Sequence, residues 1–277
     1  MTDAPPLAVF PDCRGCGNFR SGPPRVCLSC VGKRLTRPGP DACPVCAQRP
    51  GPNGLCPNEL CRSPRRRISK IHALGYQSGS LRRAISAYKY RGTRGLSVVF
   101  GRLLLAWLEE NMADDAPGLI VANPSFVGPR GQEFPHTEAV LAAAAGASQG
   151  RCWNFDTDEP AAILKTRPTL KSADAQAWSK RAIGYELRAA LEVPEPGRTE
   201  GKFVLVYDDI CTTGTQLNAV AECLLDQGRA ARVEAVVLAR APWRGPAIAQ
   251  VPITAVPSSL TTRQNRVVGQ DTPTRSR

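Results

Sequence analysis

Three features of the sequence predict an α/β fold: a doubly wound, mostly parallel sheet preceded by a small cysteine-rich module. The first is Phe203-Val-Leu-Val-Tyr207, an apolar run that ends on two adjacent carboxylates, Asp208 and Asp209. Such a run reads as a strand buried on both faces, and the acidic pair is expected to stop it. The second is the Thr212-Thr213-Gly214-Thr215 turn, followed by Leu217, Val220, Ala221, Leu224 and Leu225 at helical spacing. The third is the placement of the cysteines, eight of 11 lying between residues 13 and 61. With no apparent export signal, crowded cysteines point to metal rather than disulfides.

A chain of 277 residues accommodates one sizeable domain and a small one. The divisions expected are 1–66, 67–245 and a tail from 246 to 277, its last part disordered. The apolar runs Leu103 to Leu108 and Ala139 to Ala145 are too short to span a bilayer. Met1 is followed by Asp3 and two prolines, without a basic or apolar leader, so a cytoplasmic location is expected. Residues 1–100 carry 17 Lys and Arg against 4 Asp and Glu, while the remainder carries 19 against 20. The excess positive charge therefore sits in the N-terminal third, where single-stranded DNA or another polyanion is a candidate partner. A solvated basic surface is the alternative.

The cysteine cassette reads Cys13-x2-Cys16-x10-Cys27-x2-Cys30 and then Cys43-x2-Cys46-x9-Cys56-x4-Cys61. Each C-x-x-C is a tight knuckle that aims two thiolates at one ion, and four thiolates close a tetrahedral site. Two structural Zn2+ sites are expected, paired sequentially; a cross-braced pairing of the first and third knuckles is the other arrangement. Neither ion has an open position for catalysis. Large apolar residues are scarce here, so metal replaces a core. Arg65-Arg66-Arg67 and Lys70 follow, either a phosphate clamp or a charged linker.

Ile68 to Tyr76 reads as a strand. Next comes a helix with Leu81, Ile85 and Tyr88 on one face and Arg82, Arg83 and Lys89 on the other, stopped by Gly92. A second helix runs from about Leu96 to Met112. Gly118 to Val121 is the first core strand, and its loop, Ala122-Asn123-Pro124-Ser125, faces the same crevice as the acidic pair in a doubly wound fold. Gly128, Arg130 and Gly131 offer amides and a guanidinium for a pyrophosphate, or form an ordinary loop. Glu138 to Ala147 continues as a helix. Ala161 to Leu164 reads as a strand, and Asp174 to Leu191 as a helix within a basic segment containing Lys165, Arg167 and Lys171. Val233 to Leu238 is the last strand. The only histidines, His72 and His136, are paired with no nucleophile in the pattern, so a histidine-based nucleophilic mechanism has no support.

The chemistry concentrates at residues 208–216. A ribose offers two vicinal hydroxyls, and two carboxylates at a strand end accept one hydrogen bond from each. They also place negative charge beneath a ring that becomes oxocarbenium-like in glycosyl transfer. Thr212 to Thr215 present backbone amides to a 5′-phosphate at a helix N-terminus, where Gly214 permits close approach.

Val206-Tyr-Asp-Asp-Ile-Cys-Thr-Thr-Gly-Thr-Gln216 resembles the phosphoribosyl-pyrophosphate motif of type I phosphoribosyltransferases. With the cysteine cassette and the Tyr88-Lys89-Tyr90-Arg91-Gly92 segment, roughly residues 13 to 240 resemble the ComF/GntX (competence protein F) family. The resemblance implies that Asp208 and Asp209 hold the ribose hydroxyls and that Thr212, Thr213, Gly214, Thr215 and Gln216 hold the 5′-phosphate. It makes Ala122 and Asn123 the pyrophosphate loop, brings Mg2+ in with the pyrophosphate, and implies a role in DNA uptake beside a helicase-like partner. The chain departs from the family pattern in having Gln216 where a threonine is usual. It also has Ala122-Asn123-Pro124 for Pro-Val-Pro, and Arg130-Gly131-Gln132-Glu133 for Arg-Gly-Phe-Asn.

Three functional readings follow. One is a phosphoribosyltransferase with an unidentified acceptor. The second is a non-catalytic ribose-phosphate sensor acting with single-stranded DNA. The third is a zinc-stabilised interaction protein with a relict pocket.

Overall fold

A computed structural model describes residues 35–125, 127–128, 131–132, 134–148, 153–169 and 179–243, with backbone only in 127–132 and 179–183. Cys13, Cys16, Cys27, Cys30, Arg130, Lys171 and the tail lie outside the described residues.

The main sheet has four strands, all parallel, in the order β1 (Ile71–Tyr76), β8 (Arg232–Arg240), β7 (Phe203–Cys211) and β2 (Leu119–Ala122). Beyond β2, Phe155 makes a further parallel bridge to Ile120. Alternation along β7 divides the core. Leu205 and Tyr207 join a cluster with Leu81, Ile85 and Tyr88 of α1 (Gly79–Tyr90), Phe100 and Leu104 of α2 (Leu96–Asn111) and Leu141 of α3 (His136–Ala147). Val204 and Val206 join the opposite cluster, with Leu187 of α4 (Ser179–Ala189) and Leu217, Val220 and Leu224 of α5 (Thr215–Asp226). Helices thus cover both faces, as the continuous apolar strands require. Gly101 is where α2 meets α3 most closely: a β-carbon there would sit 2.7 Å from the Ala144 nitrogen.

The connection after β2 runs over one face through α3 to Phe155, whereas the one after β7 runs over the other through α5 to β8. Strands β2 and β7 are neighbours whose chains leave in opposite directions. Open α/β sheets bind ligands in the crevice between the C-terminal ends of such a strand pair. None of the helices among the described residues is long and apolar enough to cross a membrane.

Three expectations are corrected. The acidic pair does not stop β7, because pairing with β8 carries the ladder on to Cys211. Ala161 to Leu164 is not a strand of the main sheet. Asp156 accepts the Ala162 N–H at 2.7 Å and pairs with Arg198, which turns the chain there. Ala162 and Ile163 fill the α5-side core, and only β5 (Leu164–Lys165) forms, antiparallel to β6 (Leu191–Glu192). The helix expected to reach Leu191 ends at Ala189, since Leu191 pairs with Lys165. The remaining pair, β3 (Val127–Gly128) and β4 (Gly131–Gln132), is a short hairpin after the β2 loop.

Candidate functional site

Asp208 and Asp209 lie at the crevice end of β7, 8% and 4% exposed. Successive residues point to opposite faces of a strand, so the two carboxylates meet different surroundings. Asp209 follows Tyr207 toward α1, where Lys89 reaches it at 2.7 Å. This corrects the expectation that Lys89 faces solvent with Arg82 and Arg83. It lies four residues after Ile85, at the edge of the buried stripe, and that spacing was the available signal. Burial depresses the ammonium, but the attraction of Asp209 outweighs it and raises the Lys89 pKa.

Among the described residues Asp208 has no such ion pair. Burial and then the Asp209 charge push its carboxyl up to about 7, against the pull of Lys89, the Asp209 N–H at 2.8 Å and the Asn123 amide. Lys165 lies within the field of Asp208 and Glu138, although burial lowers its own pKa overall. Asp208 is therefore about half protonated near pH 7.

The β2 loop closes the other wall. Asn123 donates its N–H to the Tyr207 carbonyl at 2.8 Å, which ties the loop to β7 beside Asp208, and Ala122 is in register with Tyr207. Glu138, in the first turn of α3, accepts the Ser125 N–H at 3.0 Å and the Thr137 hydroxyl at 2.9 Å. Thr137 also donates to the Asn123 carbonyl at 2.7 Å. The Asn123 Oδ1 and Tyr207 hydroxyl are buried without a hydrogen-bond partner among the described residues. Tyr88 donates to the His136 carbonyl at 2.7 Å, with its ring edge-on to those of His136 and Phe134. This aromatic cluster fixes α1, and with it Lys89, against the start of α3. His136 is a neighbour of the site, its pKa lowered by burial and by Lys89.

Thr212 to Thr215 make the floor. Gly214 takes φ 79° at the N-cap of α5, a conformation that suits glycine. A β-carbon there would meet Leu60 at 3.0 Å and Ile71 at 3.1 Å. The Thr213 and Thr215 hydroxyls are 3.0 Å apart. The first-turn amides of α5, including Gln216 and Leu217, precede the intrahelical bonds that begin at Asn218 to Gly214. The predicted residues Ala122, Asn123, Asp208, Asp209 and Thr212 to Gln216 are therefore gathered at one end of the sheet. Sequence reasoning missed the parts played by Lys89, Glu138 and Thr137, and left Lys165 open between ligand and solvent.

A second centre lies behind this floor. The sulfurs of Cys43, Cys46, Cys56 and Cys61 lie within 4.8 Å of one another, with Cys46 to Cys56 at 3.6 Å, Cys56 to Cys61 at 3.7 Å and Cys43 to Cys61 at 3.8 Å. Zn–S bonds of about 2.3 Å at tetrahedral angles require edges of about 3.8 Å. The donor set fits Zn2+, and the second group of four cysteines pairs sequentially. The Cys61 ligand is brought in by a 3-10 turn, Glu59–Arg62, whose N-cap Asn58 accepts the Leu60 N–H at 3.3 Å. Hydrogen bonding with Cys61, opposed by burial and helped by Arg240, pulls Cys46 down to about 4; burial first pushes Cys56 up to about 12. The basic run after the knuckle docks on α5: Arg67 pairs with Asp226, and its N–H donates to Asn218 Oδ1 at 2.7 Å.

The chain matches no protein-family model and no curated protein.

Proposed function

We propose that the crevice binds phosphoribosyl pyrophosphate or a related ribose phosphate, and that the chain is a phosphoribosyltransferase-like protein of the ComF/GntX kind. One observation carries the reading. A buried acidic pair lies near the C-terminal end of a central parallel strand, where the sheet's connections diverge, and a short loop then leads from that strand to a glycine-capped helix N-terminus. Ribose hydroxyls take the two carboxylates and the 5′-phosphate takes the amides of Thr212 to Gln216. Lys89 and Lys165 flank the pair where a pyrophosphate's charge is greatest.

The described residues build no carboxylate cage of their own; the cysteines are their one group of three or more close metal ligands. Mg2+ would therefore enter on the pyrophosphate and ribose oxygens, with Asp208 and Asp209 as protein carboxylates, and would neutralise pyrophosphate charge. In transfer, the bond from ribose C1 to pyrophosphate breaks and a bond to the acceptor nucleophile forms. The positive charge that builds on the ring lies beside the two carboxyls. Burial of Asp208 keeps it half protonated near pH 7 in the free protein, so binding strengthens as pH rises through that value.

A non-catalytic sensor acting with single-stranded DNA is favoured by an adjoining cleft of about 850 Å³ that shares Thr215 with the loop and is also lined by Arg65, Arg67, Tyr185, Arg188 and Asn218. Tyr185 is 60% exposed and accepts from Arg65 at 2.9 Å, a stacking surface beside a cation. Glu222 and Asp226 pair with Arg188 and Arg67 there and temper the charge.

Calorimetric titration with phosphoribosyl pyrophosphate and Mg2+ tests the first reading: wild type gives heat and the Asp208→Asn/Asp209→Asn double variant does not. Equal heats sink it. Pyrophosphate release with candidate acceptors then separates enzyme from sensor. DNA affinity that does not fall with salt removes phosphate-driven DNA binding.

A further inference from the structure

The loop that forms the floor of the crevice is held almost entirely from behind, by the cysteine knuckle. Arg240, fully buried at the end of β8, donates Nε to the Cys46 carbonyl at 2.8 Å. Its Nη1 donates to the Cys211 carbonyl at 2.7 Å and also to the Thr212 carbonyl, and its Nη2 lies 3.7 Å from Cys46 Sγ. Asn58, the cap of the turn that delivers Cys61, donates Nδ2 to the Thr213 carbonyl at 3.0 Å. Leu60 packs against Gly214, and Gln48 donates to the Ala241 carbonyl at 3.1 Å. Three consecutive carbonyls of the loop are thus held by Asn58 of the knuckle and by Arg240, a β8 residue that also grips the Cys46 carbonyl, with the Ala241 N–H adding a bond to the Cys211 carbonyl at 2.9 Å.

In a trans peptide the carbonyl of one residue and the N–H of the next point in opposite directions. Anchoring the carbonyls of Cys211, Thr212 and Thr213 therefore aims the N–H groups of Thr212, Thr213 and Gly214 the other way, as three adjacent donors. None of the three donates to an acceptor among the described residues. Successive unpaired amides of this kind make an anion-binding concavity. The guanidinium of Arg240 lies directly behind it.

We propose that Arg240 and Asn58 are positioning residues through which occupancy of the Cys43/Cys46/Cys56/Cys61 metal site sets the geometry of the anion-binding loop. The metal is structural for its own knuckle and regulatory for the crevice. Loss of metal to a chelator, or of thiolates to oxidation, releases the three carbonyls and disorders the amides. The functional consequence rests on the reading of this loop as a phosphate site; the mechanical coupling does not.

The test is ¹⁵N relaxation on the full chain, zinc-loaded, zinc-stripped under reducing conditions, and as zinc-loaded Asn58→Ala and Arg240→Lys variants, with zinc content measured for each. Order parameters at Thr213 and Gly214 are expected to fall from about 0.85 to below about 0.6 in zinc-stripped protein and in Asn58→Ala with its zinc retained. Those of Val204 to Val206 in β7 should hold in Asn58→Ala. Order unchanged at Thr213 and Gly214 in both states overturns the proposal. If stripping unfolds the whole chain, Asn58→Ala decides alone, and an ordered loop in it is the overturning result. Inorganic phosphate titrated onto the same amides separates the two ideas: a loop that loosens without zinc but never shifts with phosphate keeps the coupling and removes the ribose-phosphate reading.

Discussion

Asp208→Asn should stabilise the free protein, although it removes a residue assigned to the ligand. The folded carboxyl titrates near 7 against 3.8 for an unperturbed one, chiefly because it is buried and next because Asp209 lies beside it. The folded state therefore holds a proton that the unfolded chain has released, and the wild type loses stability as pH rises from about 4 through about 7. Three pH units at about 1.4 kcal/mol each set a ceiling of roughly 4 kcal/mol at pH 8, and relaxation around a buried charge leaves about 2 kcal/mol as the working figure. Asparagine carries no charge and keeps an acceptor for the Asp209 N–H now bonded at 2.8 Å. In a domain of this size, 2 kcal/mol raises the melting temperature by about 4–8 °C. The assay is thermal unfolding of zinc-saturated wild type and Asp208→Asn between pH 5.5 and 8.5. The gap should be widest at pH 8 and close on acidification, while ligand heat is lost throughout. Equal melting temperatures at pH 8, or a gap that ignores pH, refutes the argument.

The neighbouring carboxylate should behave oppositely. Asp209→Asn leaves Lys89 without its 2.7 Å partner in a largely buried position and should cost about 1–3 kcal/mol in urea unfolding; a stabilised variant would show that the pair does not hold α1 in place. Gly214→Ala forces a β-carbon against Leu60 and Ile71 at a positive φ, so it should cost about 1–3 kcal/mol and abolish ligand heat with zinc content unchanged. Gly101→Ala, which drives α2 off Ala144, should cost a similar 1–3 kcal/mol yet leave ligand affinity intact, since it lies in the core away from the crevice. Cys61→Ser should lower bound zinc by one ion per chain, measured by atomic emission; an unchanged content would remove Cys61 from the ligand set.

Much of this protein is written locally. Apolar runs such as Phe203 to Tyr207 and Ala235 to Leu238 announce buried parallel strands, because a strand stretch covered on both faces has no polar positions to show. The spacing of Cys43, Cys46, Cys56 and Cys61 announces one tetrahedral site, since a knuckle is a few residues long and its geometry is covalent. The Asp208-Asp209 pair and Gly214 mark a turn, because only a glycine takes that conformation readily. Local pattern failed at Ala161 to Leu164, where a distant partner, Arg198, helps turn the chain at Asp156.

What only the tertiary structure decided is how unlike the two carboxylates are. By sequence they are adjacent and equivalent; the pleat sends one toward Lys89 and leaves the other buried without an ion pair among the described residues, where the cost of burying a charge raises the Asp208 pKa. The same holds for Arg240 and Asn58, which read as an ordinary strand end and an ordinary loop residue. Their meaning lies in contacts across 194 and 155 residues of chain, and no local pattern encodes a partner that far away. The sequence by itself determined the strands of the main sheet and the four cysteines that gather as one candidate metal site. Packing decided that the Asp208 pKa is raised and what holds the Thr212–Gly214 loop in place.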